Sequence, residues 1–98
     1  MNKSEILQEV KNIVFSIVKD LPVEVYLFGS WARCEARRTS DIDLAIVCRE
    51  GVDDAIISDI RTALEDSIVP YRVDVVNLSK ADPVLLTKVQ REGIVWND

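Results

Sequence analysis

The spacing of apolar positions divides the chain into alternating helices and strands. Ile6, Leu7, Val10, Ile13, Val14, Ile17 and Val18 recur at helical intervals, so residues 2–19 are expected to form a helix with one buried face. Asn2 and Glu5 have the spacing of a capping box at its start. After Pro22, Val23–Phe28 (VEVYLF) has the composition of a strand, broken by Gly29. Ser30–Arg37 is expected to be a short helix. Asp41–Cys48 (DIDLAIVC) is a second strand, almost wholly apolar beyond its first residues, as suits a central position.

A turn at Gly51–Asp54 leads to a second amphipathic helix. Its buried face is Ile56, Ile57, Ile60, Ala63, Leu64 and Ile68, and Pro70 is expected to end it. Asp53 and Asp54 suit its electropositive start. Tyr71–Leu78 (YRVDVVNL) reads as a third strand. Asp82 as N-cap and Pro83 at the first helical position open a last helix that runs through Glu92 and is closed by Gly93. Ile94–Trp96 fits either a short edge strand or a segment packed on the core. The expected fold is α/β in element order and α+β in character: one domain over residues 1–98, a small mixed sheet with helices packed against it.

Composition narrows the function. The 98 residues are 48% hydrophobic and 30% charged, a globular balance. No apolar run approaches the roughly 18 residues of a membrane span, and Glu5 and Glu9 interrupt any signal-peptide core, so a cytoplasmic location is expected. The net charge of −5 lacks the basic surplus that direct nucleic-acid binding requires. With no His, and with Cys34 and Cys48 not arranged as a C-x-x-C pair, a zinc site is not expected and both thiols are read as reduced.

Two strands carry carboxylates where apolar residues belong. Asp41 and Asp43 are two apart, so they share a face while Ile42 and Leu44 point into the core. Like charges this close raise each other's pKa, and a divalent cation relieves the repulsion. Oxygen donors favour Mg²⁺, or Mn²⁺, over zinc. Asp74 interrupts the third strand in the same way, and pairing of the two strands would bring three carboxylates together. The bland alternative is that Asp41 and Asp43 lie at a wet strand entrance while Asp74 pairs with an arginine. Upstream, Gly29–Ser30 joins a strand to a helix, which suits an anion: glycine permits close approach and Ser30 can donate its hydroxyl. Ser30 could equally be a plain N-cap.

Gly29-Ser30, ten residues, then Asp41-Ile42-Asp43 matches the G-S-x10-D-x-D signature of the DNA polymerase β-like nucleotidyltransferases. The stretch GSWARCEARRTSDIDLAIV, with RVDVVNL and DPVLLTKVQREGIVW, most resembles the minimal nucleotidyltransferases, and the likeness spans nearly the whole chain. That resemblance implies Asp41, Asp43 and Asp74 as catalytic and metal-binding residues. It implies Gly29, Ser30 and Arg33 at the nucleotide, and ATP as donor with two Mg²⁺ ions roughly 3.5–4 Å apart. It further implies an antitoxin that adds AMP to a tyrosine of a HEPN-domain toxin encoded by an adjacent gene, the two forming a hetero-oligomer.

Trp31 stands where the family has its first arginine, and Cys34 where it has a glycine. The first departure bears on packing of the base or partner and the second on turn geometry. Arg33 matches the family arginine, with a solvated helix residue as its plain alternative. Arg37 and Arg38 read first as surface residues, with contact to partner or triphosphate as the second reading. At this length an acceptor site is expected from a partner, for which Trp96 is a candidate landing point. Two rivals stand beside this reading: an antitoxin that acts by binding alone, and a transferase acting on a small molecule such as an antibiotic.

Overall fold

A computed structural model describes residues 2–33, 41–80 and 82–96. Helix α1 spans Lys3–Val18, and the Asn2 side chain accepts a hydrogen bond from the Glu5 N–H at 2.8 Å, one half of the expected capping box. Ile6, Val10, Val14 and Val18 are its buried stripe. The chain turns out of α1 through Asp20 at φ 66°, a left-handed conformation that aspartate tolerates better than most residues.

Strand β1 (Val23–Phe28) pairs antiparallel with β2 (Ile42–Cys48). Helix α2 (Ala55–Glu65) then crosses over to β3 (Val73–Asn77), which lies parallel to β2. Helix α3 (Pro83–Glu92) leads into the two-residue β4 (Ile94–Val95), antiparallel to β1. The sheet order is β3-β2-β1-β4. It is a mixed sheet, as expected, and the final segment is an edge strand that also packs: the Trp96 N–H bonds the Val25 carbonyl at 2.8 Å.

Alternation sorts the side chains onto two faces. Val23, Val25 and Leu27 of β1 and Ile42, Leu44 and Ile46 of β2 join α1 and α2 in the main core. The opposite face carries Tyr26, Phe28, Ala45 and Val76, covered by Leu85, Leu86 and the buried Val89 of α3. Asp82 caps α3 through the Leu85 N–H at 3.0 Å, and the Gly93 N–H returns to the Val89 carbonyl at 2.7 Å, as the sequence predicts for both ends.

Helix α2 departs from expectation. It stops at Glu65, well short of Pro70, because the Ser67 hydroxyl donates to the Leu64 carbonyl at 2.6 Å and accepts from the Val69 N–H. A side-chain hydroxyl that occupies the last carbonyls competes with another helical turn. Ile68 consequently lies outside the buried stripe and is 74% exposed. Strand β3 is also shorter than its apolar run, since Leu78 leaves it to enter a one-turn 3-10 helix, where it is buried.

Candidate functional site

The sheet brings the acidic residues together by register. Phe28 faces Asp43 across the β1–β2 pair, and Asp43 faces Asp74 across the β2–β3 pair. The next row on the same face is Tyr26, Ala45 and Val76, an apolar floor beneath two neighbouring carboxylates. Burial pushes the Asp43 carboxyl above its ordinary value, the charges of Asp74 and Asp41 push it further, and Arg33 partly offsets them. Asp41 precedes the first residue of β2 and is exposed. Arg72 Nε pairs with Asp74 Oδ1 at 3.2 Å, so the bland alternative for Asp74 is partly realised. That pair is open to water, the two side chains being 77% and 41% exposed, and an exposed pair is worth at most about 1 kcal/mol.

Gly29 adopts φ 75°, and a Cβ placed on it would strike the Asp43 carboxylate. Two demands therefore meet at one residue: a left-handed backbone and direct contact with the central acid. The Gly29 carbonyl accepts from the N–H groups of Ala32 (3.1 Å) and Arg33 (3.2 Å). Within the described residues, the helix expected over 30–37 is one 3-10 turn, Gly29–Trp31. The open glycine backbone, the Ser30 hydroxyl and the Arg33 guanidinium are the groups this turn offers to an anion. Cys34, Arg37 and Arg38 lie outside the described residues. Cys48 is a free thiol, half-buried, with its pKa raised by burial and by the Asp54 charge.

Trp31 faces inward. It is buried in the main core, meets Tyr71 edge-on with ring centroids 5.0 Å apart, and has the Lys3 ammonium over its ring. The expectation that it bears on base or partner packing is therefore corrected: its ring anchors the turn that carries Gly29 and Ser30. Trp96 likewise packs against the main core, and the exposed large apolar side chains among the described residues are Leu21, Ile68, Val84 and Ile94.

Two hollows meet at Asp43. One, of about 390 Å³, is lined by Phe28, Gly29, Ser30, Arg33, Asp43, Lys88, Val89 and Glu92. The other, of about 570 Å³, runs along the outer side of β3 past Asp74, Arg72, Tyr71 and Arg61. Arg61 donates to the Val75 carbonyl at 2.6 Å, which ties α2 to β3. Lys88 and Glu92 were not apparent from sequence, because only the docking of α3 brings them to the glycine turn. Their one available signal was i, i+4 spacing on an amphipathic helix. Among the described residues, no three His, Cys, Asp or Glu side chains form a ready cage for a cation. The donor set nevertheless suits Mg²⁺, which favours one or two carboxylates completed by phosphate oxygens and water.

Among the described residues, no helix is long and apolar enough to cross a membrane. The family model for Polymerase beta, Nucleotidyltransferase matches residues 4–96. The chain is 37% identical over 75 residues to a Haemophilus influenzae protein assigned as the protein adenylyltransferase MntA, covering 76% of this chain and 64% of that one. It thus spans less than two thirds of that relative's length. A solved structure assigned as a minimal nucleotidyltransferase superposes with a TM-score of 0.74 at 35% identity, covering 92% of each chain. A toxin–antitoxin crystal structure with AMP-PNP superposes with a TM-score of 0.70 at 28% identity, covering 90% of this chain and 73% of that one.

Proposed function

The chain belongs to the polymerase β nucleotidyltransferase family, and we propose that it transfers AMP from ATP to a hydroxyl of a HEPN-domain toxin partner, acting as that toxin's antitoxin. The observation that carries this reading is the contact between Gly29 and Asp43, which joins a phosphate-accessible backbone to the middle of an acidic row. The relative assigned as an adenylyltransferase and the toxin–antitoxin structure with AMP-PNP support the choice of adenine nucleotide and protein acceptor.

In this mechanism the triphosphate rests on Gly29, whose missing side chain lets phosphate oxygens reach the backbone, and the Ser30 hydroxyl and Arg33 guanidinium bind the same oxygens. Asp41, Asp43 and Asp74 would hold the magnesium, which when bound offsets charge on the phosphates and the departing pyrophosphate. The acceptor, a tyrosine hydroxyl, approaches from the β3 side. Asp74 receives its proton, the oxygen attacks the α-phosphorus, a new P–O bond forms and the bond to pyrophosphate breaks. The exposed pair with Arg72 is weak enough for Asp74 to leave it for this task. The protein acts in the cytoplasm as part of a hetero-oligomer.

Intact-mass measurement of the partner after incubation with this chain, ATP and Mg²⁺ tests the proposal. A gain of one or more AMP units, absent when Mg²⁺ is chelated, is the expected result. One observation favours a second reading, an antitoxin that acts by binding alone: Asp74 is engaged by Arg72. A stable complex with an unmodified partner mass would select it.

A further inference from the structure

We propose that Lys88 of α3 binds donor phosphates opposite Arg33, and that Glu92, one turn further on, sets a counter-charge in the same cleft that limits how tightly the nucleotide is held. This rests on the nucleotidyltransferase reading above and adds a second wall to its donor site. Val89 is 1% exposed and, with Leu85 and Leu86, seats α3 on the sheet face that bears Tyr26, Phe28 and Ala45. Fixing Val89 fixes its neighbours on the helix. Lys88 and Glu92, at i and i+4, fall on one stripe, and both line the hollow shared by Gly29, Ser30, Arg33 and Asp43.

The sheet side of that hollow offers a glycine backbone, a hydroxyl and a guanidinium; the helix side offers an ammonium and a carboxylate. A polyphosphate between the two walls meets cations from both. Lys88 is exposed, and its flexible four-carbon stem with three donors can follow a phosphate into place. Lys88 takes no part in the ion pairs Arg49–Glu24, Arg72–Asp74 and Lys80–Asp54. Glu92, of the same sign as the ligand, opposes binding, which suits a site that must release pyrophosphate. Arg91 supplies an internal comparison: it has the same charge on the same helix and shares the outer groove of Pro83, Val84 and Thr87 with Lys88 and Glu92, but unlike them it does not line the hollow at Gly29.

Titration calorimetry with AMP-PNP and with AMP, both in Mg²⁺, tests the assignment. A hydrogen bond from a charged donor is worth enough that Lys88→Ala should weaken AMP-PNP roughly tenfold. AMP, which lacks the outer phosphates, should change little, and Lys88→Arg should restore most of the loss. Glu92→Gln should tighten AMP-PNP, and Arg91→Ala should match the wild type. Equal losses for Lys88→Ala and Arg91→Ala would overturn the proposal, as would parallel losses for AMP-PNP and AMP. Absence of AMP-PNP binding by the wild-type chain would overturn both this assignment and the functional reading beneath it.

Discussion

At the residue scale, the site is a contest between charge and burial centred on Asp43. Its pKa is raised, so the folded chain holds this proton more tightly than the unfolded chain does. The corresponding stability is present at low pH and is lost as pH rises through the folded-state value. Without Mg²⁺, Asp43→Asn should therefore be more stable than wild type at neutral pH, and the advantage should shrink below the ordinary carboxylate range. Thermal melts across pH would show it, and a constant difference would count against electrostatic strain at this position. The same substitution should reduce transfer to no more than a few per cent of wild type. Gly29→Ala should impair transfer comparably, since the added methyl meets the Asp43 carboxylate and the φ of 75° suits glycine. Trp31→Arg, which restores the family residue, should cost about 3 kcal/mol or more in a denaturant melt, because it replaces a buried ring with a charge. That Trp31 faces inward was not legible in sequence. A family motif identifies the position, but the direction of the ring depends on Tyr71 and Lys3, forty residues downstream and twenty-eight upstream.

At the element scale, what was legible was what neighbouring residues encode. Strand β1 runs over the residues its composition predicts, and α3 begins at Asp82–Pro83 and ends before Gly93 because those signals are local. Helix α2 misled because Ile68 continues its apolar period, while a hydroxyl at Ser67 ends the helix first. Lys88 and Glu92 were missed for the opposite reason: nothing local marks them, and their role depends on how α3 docks. Removing the buried Ile60 side chain from α2, as Ile60→Ala, should cost about 2–5 kcal/mol. Asp82→Ala should cost about 1 kcal/mol through loss of the α3 cap. Urea titrations check both, and an unchanged midpoint for Ile60→Ala would contradict the packing of α2 against the sheet.

At the scale of the whole molecule, the parallel β2–β3 pair is the decisive arrangement. The two acidic strands lie far apart in sequence and become one row only because α2 crosses between them. From the sequence, the pairing was a condition on which the site depended; the register Asp43 to Asp74 meets it. Nucleotidyl transfer is tested by comparing ATP labelled at the α-phosphate with ATP labelled at the γ-phosphate. Each is incubated with Mg²⁺, the proposed HEPN-domain partner and either the wild-type chain or Asp43→Asn. The expected result is α-label on the partner, γ-label only in released pyrophosphate, and neither with Asp43→Asn. γ-Label on the partner, or α-label that survives the substitution, would contradict it.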